Sequence, residues 1–149
     1  MTKRVLIVDD DEDMQALLQA ALKKEDYQVV TAEDGLVALE ELEKSSPDLI
    51  LLDLMMPRMD GYAFVEELRQ RGLQSSIPII VLSADVSARQ KVDQMGADGY
   101  IAKPFDVLDL LGEISQFMHY LVPEEMAPAE ESAQEEQKRD ARRGEGGGR

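Results

Sequence analysis

The 149-residue chain has no cysteine and a single histidine, His119. Without Cys there is no disulfide frame, thiol nucleophile or thiolate metal site, and one His cannot build a His-rich metal site or an ordinary Ser-His-Asp arrangement elsewhere. Bases are also scarce: 16 Lys and Arg stand against 31 Asp and Glu, a net charge of -15. So negative a surface repels nucleic-acid phosphates and anionic membrane faces, which argues against direct binding of either. Long apolar runs are missing as well. None approaches the roughly 20 residues of a membrane span, and Met1-Thr2-Lys3-Arg4 leads into an apolar run of only about four residues before acids begin. The expectation is a cytoplasmic protein whose chemistry runs on carboxylates.

Apolar residues make up 44% of the chain, enough to build one core. Composition changes at Val122. Residues 122–149 hold two Pro, eight acids and five bases and close on Gly-Glu-Gly-Gly-Gly-Arg, a charged tail expected to be disordered. Its net of -3 leaves -12 on residues 1–121, so the acidity belongs to the domain. The basic cluster Lys138, Arg139, Arg142 and Arg143 is interspersed with acids and reads as solvating.

Within 1–121, short apolar runs alternate with helical periodicity five times. The runs are Val5–Val8, Gln28–Thr31, Leu49–Leu52, Ile79–Leu82 and Tyr100–Ala102, and consecutive apolar positions predict parallel strands covered on both faces. Between them, Met14, Leu17, Leu18, Ala21 and Leu22 form one helical stripe, Leu36, Leu39 and Leu42 a second, and Tyr62, Val65 and Leu68 a third closing at Gly72. Val107, Leu110, Leu111, Ile114, Phe117, Met118 and Leu121 form the last, capped by Asp106 with Asp109 in its first turn. The segment Val86–Met95 has the weakest stripe, Ala88, Val92 and Met95, and should be the least firmly anchored. The fold class is therefore α/β, a doubly wound five-stranded parallel sheet with five helices, which binds ligands beyond the carboxyl ends of its strands.

Asp9 and Asp10 follow strand one, Asp53 follows strand three, Ser83 ends strand four, and Lys103 then Pro104 follow strand five; strand two is read as contributing nothing ionisable. Three carboxylates crowded on one rim need compensation. Lys103 and a divalent cation supply it, and hard oxygen donors select Mg²⁺, or Mn²⁺. Such a rim suits phosphoryl transfer, with Asp53 attacking in line, Lys103 taking up equatorial charge and the Ser83 hydroxyl donating to a phosphoryl oxygen. Duller readings exist for each part: helix-start acids for Asp9–Asp13, an N-cap for Ser83, a surface lysine for Lys103, a half-buried strand aromatic for Tyr100. A calcium loop is ruled out, because Met14 stands where Gly is needed and Ala20 where the bidentate Glu is needed. His119 is assigned no role.

Val8-Asp9-Asp10, Asp53-Leu54-Met55-Met56-Pro57-Arg58-Met59-Asp60-Gly61, Leu82-Ser83-Ala84 and Lys103-Pro104-Phe105 together resemble the receiver domains of two-component response regulators, over about residues 3–121. The resemblance implies a flavodoxin-like sheet of order 2-1-3-4-5. It makes Asp53 the phosphoacceptor, Asp10 a direct metal ligand, Asp9 a water-mediated one, and Met55 the donor of a backbone carbonyl. Ser83 becomes the switch hydroxyl, Tyr100 the switch aromatic, and Lys103 the phosphate-binding lysine before a cis bond to Pro104. Flanking side chains, Met55 and Asp85 among them, would set phosphoryl lifetime. The phosphoryl donor would be a histidine kinase or a phosphotransfer protein. The responding surface would be the fourth helix, fifth strand and fifth helix, here 86–95, 99–102 and 106–121, acting on a downstream protein. As such the chain would be a signalling switch, an enzyme only toward its own phosphoryl group, and either a stand-alone receiver, acting as a diffusible switch or a phosphorelay intermediate, or a receiver fragment of a larger regulator. Two other classes stay open: a phosphatase of the haloacid dehalogenase type using Asp9, and a constitutive protein-binding module.

Overall fold

The computed structural model describes residues 2–73, 76–85 and 87–120, with His119 and Tyr120 as backbone only. The expected tail at 122–149, its basic cluster, Leu121 and Val86 lie outside the described residues. A first compact unit runs Met1–Phe117 and a second begins at Met118; the account below concerns the first.

Strand and helix alternate throughout: β1 (Arg4–Val8), α1 (Glu12–Lys24), β2 (Gln28–Ala32), α2 (Gly35–Lys44), β3 (Leu49–Asp53), α3 (Gly61–Gln70), β4 (Ile79–Ser83), α4 (Ala88–Met95), β5 (Gly99–Ala102) and α5 (Val107–Tyr120). All pairings are parallel, in the order β2-β1-β3-β4-β5. This is the doubly wound, flavodoxin-like arrangement. The reversal of strand order falls between β1 and β3, so the C-terminal ends of those two strands open onto the crevice where such sheets take ligands.

Burial follows position in the sheet. Val5–Val8, Leu49–Leu52 and Ile79–Leu82 are all at most 2% exposed, because β1, β3 and β4 have neighbours on both edges and helices on both faces. On one face Leu6, Val8, Ile50, Leu52, Ile79 and Val81 pack with Phe64, Val65 and Leu68 of α3, Ala38 and Leu39 of α2, and Val92 of α4. The alternate residues Val5, Ile7, Leu49, Leu51 and Ile80 are equally buried and face the other way, toward the side covered by Leu18 and Leu22 of α1 and Leu110 and Ile114 of α5.

Two expectations need correction. The runs in β2 and β5 are not covered on both faces; most of their residues are only partly buried, because the strand order puts them at the sheet edges. Leu17 and Leu36, read as members of buried stripes, are exposed. In α1 the buried pair Leu18 and Leu22 defines a narrower stripe, and α2 enters the core through Gly35, Ala38 and Leu39. The helix ends follow local chemistry. Asp11, Asp34 and Asp60 cap α1, α2 and α3 with side-chain oxygens, Asp106 accepts the Leu108 N–H at 2.8 Å before α5, and α3 closes at Gly72, φ +74. The shortest helix is α4. Its cap residue Ser87 makes no side-chain capping bond, and its buried face is Ala88, Val92 and Met95, the weak stripe seen in the sequence.

Candidate functional site

Every strand of the central trio ends in a polar residue or is followed directly by one. Asp9 follows β1 directly and is 1% exposed; its N–H donates to the Ala32 carbonyl at 3.0 Å, and one of its oxygens accepts the Asp11 N–H at 2.9 Å. Asp53 is the last residue of β3 and Ser83 of β4. Lys103 follows β5; its N–H donates to the Ser83 carbonyl at 2.8 Å, and its peptide bond to Pro104 is cis. The apolar interiors of these strands carry the polar ends to one rim.

There the side chains converge. Carboxylate oxygens of Asp9, Asp10 and Asp53 lie within 4.8 Å of one another, with Asp9 buried, Asp53 half-buried and Asp10 exposed. Lys103 Nζ stands 3.2 Å from Asp9 Oδ2 and 3.7 Å from Asp53 Oδ1. Burial and then the negative charge of Asp9 push the Asp53 carboxyl above its ordinary value, outweighing the Lys103 ammonium and the backbone N–H groups of Met55 and Leu54. The lysine therefore compensates only part of the charge. A hard divalent cation fits what remains: three carboxylates at bridging distance, all oxygen, with Asp53 raised first by burial and then by the charge of Asp9.

The other sequence-identified residues stand near, in different relations. Ser83 is 2% exposed, and its Oγ accepts the Asp85 N–H at 3.1 Å; its proton remains available to donate. The Asp85 carboxylate turns away to accept from the Ser87 hydroxyl and N–H, which hold its pKa below the ordinary range. Tyr100 donates its hydroxyl to the Asp85 carbonyl at 3.3 Å, and its ring lies 5.6 Å from the Arg89 guanidinium carbon of α4. The side chain of Met55 is exposed, so any contribution from this residue to the rim comes through its main chain.

Strand two does supply charge, contrary to the sequence reading. Glu33 and Asp34 follow β2, and Asp34 is wholly buried. Arg58, in the loop after β3, donates through Nε to Asp34 Oδ2 at 2.6 Å and through a terminal nitrogen to Glu33 Oε2 at 2.9 Å, while Asp34 Oδ1 accepts the Val37 N–H at 3.0 Å. Burial pushes the Asp34 carboxyl up, but the Val37 N–H and the Arg58 guanidinium outweigh it and hold it below the ordinary range. The signal available in the sequence was an acid placed directly before a helix-starting Gly35; nothing there pointed to Arg58.

A sequence profile of the response regulator receiver domain matches residues 5–115. The alkaline phosphatase synthesis transcriptional regulatory protein PhoP of Bacillus subtilis is 44% identical over 107 residues, covering 70% of this chain and 44% of PhoP. Response regulator MprA of Mycobacterium bovis is 37% identical over 129 residues, covering 85% of this chain and 55% of MprA. The chain thus spans about half the length of these curated relatives. Among solved structures, the chemotaxis response regulator CheY4 of Vibrio cholerae superposes with a TM-score of 0.73 at 32% identity, covering 78% of this chain and 99% of CheY4. Response regulator TrrA of Thermotoga maritima, solved in complex with Mg²⁺ and BeF, gives 0.70 at 32% identity, with 78% and 99% covered. Profile, relatives and fold agree: the chain belongs to the response regulator receiver domains of two-component signalling.

Proposed function

We propose that residues 1–121 form a phosphorylation-activated switch in which Asp53 accepts a phosphoryl group from a histidine kinase or phosphotransfer protein. The convergence of three carboxylates within 4.8 Å beside Lys103 carries this reading. An Asp53 oxygen attacks phosphorus; the new O–P bond forms as the P–N bond of a phosphohistidine breaks, and the leaving imidazole keeps the electron pair. Asp10, Asp53 and the Met55 carbonyl would hold Mg²⁺ or Mn²⁺ directly, and Asp9 through water. When bound, the ion supplies two positive charges and draws electron density from the phosphoryl oxygens. Lys103, already 3.7 Å from Asp53, takes up charge on another of those oxygens.

Esterification removes the Asp53 charge and places about two negative charges farther out. The Ser83 hydroxyl then gains an acceptor. Ser83 Oγ holds the Asp85 N–H and the Asp85 carbonyl holds the Tyr100 hydroxyl, so a shift of Ser83 is passed to Tyr100 and to α4, the shortest helix, whose cap residue makes no side-chain bond. That surface would present the signal to a downstream protein. Receiver domains are signalling domains rather than classical enzymes, and the reaction here is confined to the domain's own phosphoryl group. No helix among the described residues is long and apolar enough to cross a membrane, which accords with cytoplasmic action.

The test is to treat the chain with acetyl phosphate and Mg²⁺ and map the acyl phosphate by reductive trapping and mass spectrometry. Modification of Asp53 is expected. Modification of Asp9 instead would support the phosphatase reading, and equal partner affinity for wild type and Asp53→Asn under phosphorylating conditions would support a constitutive binding module. A second reading is favoured by the relatives that this chain half covers, one of them named as a transcriptional regulatory protein: the receiver governs a DNA-binding output on a longer chain. It predicts phosphorylation-dependent promoter binding by the longer chain and none by residues 1–121.

A further inference from the structure

We propose that Arg58 is a positioning residue for the phosphoacceptor site: its guanidinium straps the loop carrying Met55 to the turn between β2 and α2, and so holds the Met55 carbonyl in place for the metal. This rests on the reading of Asp53 and its cation given above and deepens it.

The loop 54–60 follows the phosphoacceptor, and besides the Leu54 and Met55 N–H bonds to Asp53 and a turn from the Met59 N–H to the Pro57 carbonyl it has three further ties. At its far end the Gly61 N–H donates to the Leu54 carbonyl at 2.9 Å, and a Cβ on Gly61 would stand 2.7 Å from the Asp53 carbonyl oxygen. Before that, the Met59 carbonyl accepts the Gly35 N–H at 2.9 Å, and the Met59 side chain fills the space a Cβ on Gly35 would need. The third tie is Arg58 itself. Its φ is +64, a region that favours glycine. An arginine held there contributes something glycine lacks, and its side chain shows what: bonds to Asp34 and to Glu33 across the gap between the two loops.

The anchor is firm. Asp34 is wholly buried, one oxygen capping α2 and the other taking the guanidinium. An ordinary surface ion pair has two mobile partners and contributes little; here one partner is fixed by the helix it caps. Met55, Met56 and Pro57 run between the tied points at Leu54 and Arg58, so release of Arg58 moves the next outside tie to Met59 and loosens the stretch containing the carbonyl that the cation needs, which then keeps the Met55 N–H bond to Asp53. Loss of a group that orients a metal ligand without touching the ion typically weakens metal affinity by about 10- to 100-fold.

The test uses Arg58→Gly, Arg58→Lys and Asp34→Asn in the full chain. Glycine adopts the +64 backbone without strain, so a role confined to backbone shape leaves Arg58→Gly equal to wild type. Asn at 34 keeps an oxygen for the Val37 N–H while discarding the charge. The Mg²⁺ dissociation constant is read from the amide shifts of residues 53–56, and thermal stability is measured without Mg²⁺. Expected is an affinity about tenfold weaker in Arg58→Gly, a loss in the same direction in Asp34→Asn, and partial recovery in Arg58→Lys. Unchanged Mg²⁺ affinity in Arg58→Gly overturns the positioning role, even if stability falls. A wild type that binds Mg²⁺ but takes no phosphoryl group on Asp53 overturns the phosphoacceptor reading, while the comparison with Arg58→Gly still decides the positioning role. A wild type that binds no Mg²⁺ overturns both.

Discussion

Replacing Asp53 with Asn removes one charge from the rim with almost no change in shape. With an effective dielectric constant near 20, two carboxylates whose oxygens lie no more than 4.8 Å apart repel by about 3.5 kcal/mol or more. That figure suits the pair with buried Asp9; exposed Asp10 is screened by water, and its repulsion falls to about 1 kcal/mol. Against these, Lys103 at 3.7 Å attracts Asp53 by about 4.5 kcal/mol on the same scale. At the 4.8 Å limit the charge interactions nearly cancel, and any closer approach adds repulsion, so the desolvation of an ionised side chain only 12% exposed sets the sign. Burial is also the largest cause of the raised Asp53 pKa. Asp53→Asn should therefore stabilise the fold at pH 7 without Mg²⁺ by about 1–2 kcal/mol, raising Tm by about 4–8 °C. Lys103 keeps Asp9 as a partner in the variant.

The pH dependence has a definite sign. A carboxyl whose folded pKa is raised carries no penalty below its unfolded value of about 3.9; the penalty grows as pH rises toward the folded value and is complete above it. Wild type and Asp53→Asn should thus converge in acid and separate toward neutrality. Mg²⁺ should narrow or reverse the gap, since ion at about 100 times its Kd stabilises wild type by about 2.7 kcal/mol and the variant has lost a ligand. Calorimetry at pH 3, 5 and 7, with EDTA and with Mg²⁺, checks all of this. An Asp53→Asn Tm equal to or below wild type at pH 7 in EDTA would refute the charge accounting.

Lys103→Ala should keep the fold and bind Mg²⁺ yet lose the phosphorylation-dependent amide shifts in α4, β5 and α5, as NMR spectra before and after acetyl phosphate will show. In Gly61→Ala the added methyl meets backbone at 2.7 and 2.9 Å rather than a flexible side chain, so Asp53 must shift; a stability loss of about 1–3 kcal/mol with slowed phosphorylation is expected from denaturant melts and single-turnover assays. Arg58→Ala should cost about 1–2 kcal/mol at pH 7, discounted because Arg58 is half exposed. Asp34 has a lowered folded pKa, so this contribution is present above about pH 3.9 and lost as the carboxylate protonates in acid; melts of Arg58→Ala and wild type should converge there. Phe64→Ala, at a fully buried ring on α3, should cost about 3–5 kcal/mol in urea titrations while leaving the rim residues in place.

What could be read early and what could not divides along physical lines. The apolar runs of β1, β3 and β4 were legible because central parallel strands are buried on both faces and show it residue by residue. The edge strands β2 and β5 show in the sequence but their surroundings do not, since nothing in Gln28–Ala32 or Gly99–Ala102 states which strands will flank them. Leu36 illustrates the same limit. Its helical spacing with Leu39 is right for a stripe, yet α2 docks through Gly35, Ala38 and Leu39, and the missing side chain at Gly35 admits the Met59 chain.

The linear order of residues was enough to determine the alternation of strands and helices, the rim residues Asp9, Asp10, Asp53, Ser83 and Lys103, and the acidity around them, because each is marked by an apolar run that ends at it. The three-dimensional fold alone decided which charges meet. Asp34 and Arg58 are joined by the packing of the loops that follow β2 and β3, the two strands flanking β1, and Tyr100 reaches Asp85 because β5 lies beside β4. Periodicity records how a segment meets water and core; it carries no term for the partner that a side chain will find after the sheet has brought distant segments together.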